Sequence, residues 1–175
     1  MTTKLHRWFE KFERQKTEIL SGVAAMPPAR LQFRETAHSW SALQVLDHLV
    51  KVEEVWLEAV MKNASPGHQV TPKARFAGLI ATCVMLLPTR VKVPSGAQAV
   101  VPDTTLELPL ISARWAKIRC QISDSFQDFP IHRLGVLPHP ITGWMTLDRA
   151  TSFLSAHLRH HRYQLSRLQR ASREI

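Results

Sequence analysis

The stretch "TLDRATSFLSAHLRHHRYQL", residues 146–165, decides the fold. On a helix advancing 100° per residue from Leu147, Leu147, Ala150, Leu154, Leu158, Leu165 and Leu168 fall within an arc of about 80°. An apolar stripe of that width is the buried face of a packed helix. His161 lies near the middle of the arc, and His157 lies about 40° from it on the same side. His160 falls off the arc, as do Arg159 and Arg162. The crowded histidines therefore divide into an inward pair, one turn apart, and a third read as a surface residue. The helix is expected to start near Thr146, with Asp148 in its first turn, and to reach about Gln169 before a basic "RASREI".

Working back along the chain, residues 3–24 carry Leu5, Trp8, Phe9, Phe12, Ile19, Leu20 and Val23 at helical spacing. Two consecutive prolines in "AAMPPAR" stop that helix. Ser41 followed three residues later by Gln44 is a capping box, which starts a second helix running to about Asn63. Residues 73–87 read as a shorter, well-buried helix ended by Pro88, and a fourth helix runs from Leu106 or Pro109 to Phe126. Between them "VKVPSGAQAVVPDTT" is a loop and a candidate lid. The segment "DFPIHRLGVLPHPITGW" reads as an irregular connection, and no run alternates long enough for a strand. The expected fold is all-α: an antiparallel four-helix bundle with an additional short helix and long loops, forming one domain over residues 1–175.

Composition narrows the function classes. Only two cysteines occur, Cys83 and Cys120, with no C-x-x-C pair, so neither a disulfide framework nor a thiolate zinc site is expected. Both read as core or near-core thiols. The charged first residues lack the apolar centre of a signal peptide. The longest apolar run, 76–88, is too short to cross a membrane. A soluble protein of the reducing cytoplasm is the expectation. The net charge of +9 attracts polyanions in general. No zinc-finger spacing, ribonucleoprotein motif or basic zipper accompanies it, so nucleic acid is not the expected partner.

The second helix repeats the anomaly of the last. Val45, Leu49, Val52, Val55, Trp56 and Ala59 make its apolar face, and His48 sits inside that face. A single core histidine is most simply satisfied by a backbone carbonyl. Three inward imidazoles on two helices equally form the donor set of a metal centre, because an i, i+4 pair and a third nitrogen from a facing helix leave positions open for water or substrate. Neutral imidazole suits Zn, Ni, Fe or Cu; the expected divalent ion is Zn or Ni, with Fe or Mn as alternates.

The same residues carry a family likeness. "HSWSALQVLDHLVKVEEVW", residues 38–56, and "LPHPITGWMTLDRATSFLSAHLRHHRYQL", residues 137–165, resemble the two signatures of the DinB-like superfamily. The first is a Trp-Ser helix start before a histidine in an apolar helix. The second is a His-Pro turn, a glycine, a Thr-Leu helix start and a His-x-x-x-His pair followed by glutamine. The resemblance implies a four-helix bundle, often a homodimer, binding a divalent metal through His48, His157 and His161. It also implies a small-molecule substrate, with thiol S-transfer or a related hydrolytic or isomerising reaction of a low-molecular-weight thiol such as mycothiol or bacillithiol. A non-catalytic metal-binding or stress-response bundle is the alternative, and catalytic residues beyond the ligands are not identified.

Among other residues, Gln164 stands one turn beyond His161 and is a candidate support for it, as are His160 and His139 of the "PHP" turn. Trp40 and Trp144 read as packing anchors, and His38, His68 and His132 as surface residues. Arg167, Arg170 and Arg173 form a basic tail that could draw an anionic thiol.

Overall fold

Each helix begins and ends where its sequence requires. In the computed structural model, which describes residues 3–64, 67–88, 97–103, 107–126, 129 and 134–171, α1 spans Thr3–Ala24. It stops before Pro27 and Pro28, which turn the chain into a short 3-10 segment. Helix α2, Ala42–Lys62, opens with the expected capping box: Gln44 N donates to Ser41 Oγ, and Ser41 N donates to Gln44 Oε1. Helix α3, Pro72–Met85, starts on the Thr71 side chain. Helix α4 is Leu108–Ser125, with Pro109 tolerated in its first turn, and α5 is Leu147–Ala171.

Contacts between helices give their directions. Lys4–Asp148, Gln15–Ser155, Glu18–Arg162 and Gly22–Gln169 rise together in number, so α1 and α5 run parallel. Asp47–Arg114, Glu53–Arg119 and Trp56–Phe126 show the same for α2 and α4. Glu35–Arg167 and His48–His157 run the opposite way, so the two parallel pairs are antiparallel to each other. The chain thus forms the expected all-α bundle, in an up-down-down-up order. Two parallel neighbours need a long crossover between them. Residues 63–107 supply it, and α3 lies within it.

The structure corrects three readings. Helix α3 packs on the flank of α5, outside the four-helix core, and buries only Gly78 and Thr82. Phe76, Leu79, Ile80 and Val84 stay exposed, so α3 is not the well-buried helix its composition implies. Both cysteines are exposed rather than core thiols. His160 is buried, because α3 covers the side of α5 that a plain four-helix count leaves to solvent. Its Nδ1 donates to the Leu87 carbonyl at 3.2 Å, just beyond the end of α3.

A fourth correction concerns the connection before α5. Residues 135–146 form a hairpin, β1 (Gly135–His139) paired antiparallel with β2 (Gly143–Thr146). Its strands are too short, and its prolines too frequent, to show alternation in sequence. Gly143 takes φ +77° at the turn, a backbone region glycine enters without strain. At Gly135 a Cβ would stand 2.8 Å from Trp144 Cβ and 3.0 Å from Val70 Cγ2, since this residue also pairs with His68 through two backbone hydrogen bonds. His132 and most of the expected lid, residues 91–96 and 104–105, lie outside the described residues, as does Arg173.

The core is one cluster in which Leu46, Leu49, Trp115, Ile122, Leu147, Leu154 and Leu158 are almost fully buried. Inside it lies an ion pair. Glu53 Oε1 accepts from Arg119 Nη2 at 2.5 Å, and Glu53 Oε2 accepts from Trp115 Nε1 at 2.9 Å. Burial pushes the Glu53 carboxyl up in pKa, while the Arg119 guanidinium opposes it. Arg119→Met would strand a buried carboxylate and should cost about 3–5 kcal/mol in denaturant unfolding, most of it recovered in Glu53→Met/Arg119→Met. Gly135→Ala overpacks the hairpin and should cost about 1–3 kcal/mol in the same measurement.

Candidate metal centre

His48 sits on α2 between Val45 and Val52, on the face turned to α5. His157 and His161 stand one turn apart on α5 and face back. Because α2 and α5 are antiparallel neighbours, residues 109 positions apart in the chain meet: His48 Nε2 is 3.3 Å from His157 Nε2. His161 Nε2 is 3.1 Å from the same atom. All three residues are buried, and their ligand nitrogens lie within 4.8 Å of one another. Two nitrogens bound tetrahedrally to one ion at 2.0–2.1 Å stand about 3.3 Å apart, so the spacing fits a shared cation.

The hydrogen bonds around the trio fix where its protons are. His48 Nδ1 lies 2.7 Å from the Val100 carbonyl, which can only accept, so Nδ1 carries the proton and the neutral ring turns a lone pair inward from Nε2. His161 Nδ1 lies 2.8 Å from Gln164 Oε1 and adopts the same tautomer. A proton on His157 Nε2 can serve one of these two lone pairs but not both. A cation between the three nitrogens serves all of them. His157 Nδ1 finds no hydrogen-bond partner among the described residues.

Burial also keeps the rings neutral, the form that binds metals. It lowers His48 against the opposing pull of the Val100 carbonyl. It drives His157 well below the usual imidazole range, and neighbouring His161 and His48 add to that. His161 is lowered by burial and then by His48, with the Gln164 hydrogen bond acting the other way.

The trio opens on a cleft of about 1380 Å³. Its two ends differ. Toward the hairpin the walls are Val52, Trp56, Ile80, Val84, Leu137 and Phe153, while toward the C-terminal part of α5 they are Thr36, Ser39, Gln164, Arg167 and Arg170. Arg167 pairs with Glu35 at 2.9 Å.

The structure brings together the three histidines selected as ligands from the sequence and adds Gln164 as the support of one of them. It does not bring in the other two candidates as supports. The His160 ring stands 5.3 Å from the His161 ring but bonds to Leu87. His139 Nδ1 accepts from the backbone N–H groups of Ile141 and Thr142, and its ring packs edge-on against Phe153 at the cleft wall. Trp40 packs 4.8 Å from the His48 ring, and Trp144 stacks on exposed His68 at 3.7 Å.

Sequence reasoning missed the segment Val100–Asp103, which reaches across from the crossover to hold His48. A signal for it exists in α2, where Gln44, Asp47, His48 and Lys51 make a polar stripe in an apolar helix. Nothing in the proline-rich loop marks it as the partner of that stripe.

A family model described as the DinB superfamily matches residues 11–165, a span holding all three histidines, the hairpin and the long crossover. No curated protein and no solved structure matches the chain. The bundle, the inward histidine on its second helix and the His-x-x-x-His pair on its last are found within one matched span, and the chain belongs to the DinB superfamily.

Proposed function

We propose that this protein is a divalent-metal-dependent enzyme that activates a low-molecular-weight thiol and transfers it to an electrophile. One observation carries the reading: three neutral imidazole nitrogens converge at the wall of a cleft large enough for two reactants. An all-imidazole donor set suits Zn or Ni, with Fe as an alternate. A divalent ion bound there would favour thiolate over thiol at neutral pH.

The chain's own groups do the rest. His48, His157 and His161 hold the ion, and the Val100 carbonyl and Gln164 orient two of those rings. Val52, Trp56 and Phe153 line the apolar end and keep water from an electrophile seated there. Arg170, beside the Arg167–Glu35 ion pair, gives the other end a positive charge suited to an anionic thiol. In the transfer, the sulfur loses its proton to solvent and bonds to the electrophilic carbon, whose leaving group departs with the bonding pair. Among the described residues no helix is long and apolar enough to cross a membrane.

Protein purified without a histidine tag should contain about one divalent ion per chain by elemental analysis, and His161→Ala should lose it. Metal that is sub-stoichiometric in the wild type and unchanged in His161→Ala would sink the assignment. A panel of low-molecular-weight thiols with a generic electrophile should show transfer that is lost on chelation and regained on reloading. Metal binding without transfer would leave a non-catalytic metal-binding bundle. For an anionic thiol, Arg170→Glu should raise KM several-fold with little change in kcat, the pattern of a lost binding interaction made equally in ground and transition states.

A further inference from the structure

The segment that supports His48 is itself held by charge. Gln44, Asp47, His48 and Lys51 share one face of α2 at i, i+3, i+4 and i+7, and every one bonds to residues 100–103. His48 Nδ1 donates to the Val100 carbonyl at 2.7 Å. Lys51 Nζ donates to the Val101 carbonyl at 2.9 Å and to Asp103 Oδ1 at 2.8 Å. Asp47 Oδ2 accepts from the Asp103 N–H at 2.9 Å, and Gln44 Nε2 reaches the Asp103 carbonyl at 3.4 Å.

We propose that Lys51, with Asp47, is a positioning residue for the metal centre: it straps residues 100–103 onto α2 and so holds the Val100 carbonyl on the His48 ring. The inference rests on the metal-binding reading of the three histidines. A purely structural role for Lys51 is the weaker account, for two reasons. Lys51 Nζ also stands 3.3 Å from Oδ2 of buried Asp47, but Arg114 Nη1 at 3.0 Å and the Asp103 N–H bond that carboxylate independently of Lys51. The partner carboxylate of Asp103 is 65% exposed, and a pair of that kind adds little to global stability. By contrast, the Val100 carbonyl holds the Nδ1 proton of His48 and so its tautomer, with Trp40 packed against the ring, and losing such a hydrogen-bond partner typically weakens metal binding 10–100-fold. The strap is thus better placed to affect ligand orientation than folding.

The test titrates Zn²⁺ against a competing chelator in the full chain, records the visible spectrum of the Co²⁺ form, and measures melting of the metal-free protein. Lys51→Met should weaken Zn²⁺ binding about 10-fold and alter the Co²⁺ spectrum. It should leave the metal-free melting temperature within about 2–4 °C of wild type. Lys51→Arg should restore most of the affinity. Asp103→Asn removes the exposed one of Lys51's two carboxylate partners and should weaken binding in the same direction. Unchanged affinity and spectrum in both Lys51→Met and Asp103→Asn overturn the proposal, as does a melting loss in Lys51→Met with no change in the Co²⁺ spectrum. A wild-type chain that binds no Zn²⁺ defeats the metal reading itself and this inference with it, whereas tight wild-type binding matched by both variants defeats the strap alone.

Discussion

Arg119 is the buried charge on which the geometry of the bundle turns. Its guanidinium bonds Glu53 of α2, lies 3.8 Å from Glu13 of α1, and covers the Phe12 ring, all from its own place on α4. A charge removed from water must keep its partners, so three helices can rotate very little about their axes without breaking that set. The rotation of α2 is the one that matters for chemistry, because it aims His48 at α5. Helix α5 is fixed from its other side by the parallel contacts with α1, from Asp148 to Gln169. The candidate centre lies where two helices, each anchored on its outer face, present their inner faces to one another.

What those inner faces present is unfavourable without an occupant. Helical cores bury Leu and Val at such positions, and here three imidazoles replace them with two lone pairs directed at a third ring. A buried polar group without a partner costs roughly 1–3 kcal/mol, and the surrounding core offers no group to relieve it. Among the described residues His157 Nδ1, at the centre of the trio, is one of the buried polar atoms left without a partner. Local penalties of this kind concentrate at functional sites.

Much of this was legible in the sequence, and the limits have physical causes. The bounds of α1 and α2, the capping box and the inward direction of His48, His157 and His161 all follow from 100° periodicity and local turn chemistry. The helix directions did not follow, since parallel and antiparallel neighbours share the same amphipathic pattern. His160 was misread because periodicity reports only the face toward the main core, and α3 creates a second covered face on α5. The hairpin hid in a segment whose prolines and glycines read as disorder of pattern. Val100 contributes through a backbone carbonyl, which no side-chain pattern can announce.

The spacing of the three histidines also has a kinetic side. His48 belongs to the first third of the chain, His157 lies 109 residues downstream in α5, and His161 lies one turn beyond it. During synthesis α2 leaves the ribosome long before α5 exists, and contacts across such a separation form only after the intervening loop is closed. Capture of an ion by all three nitrogens would therefore have to follow the docking of α5 onto α2.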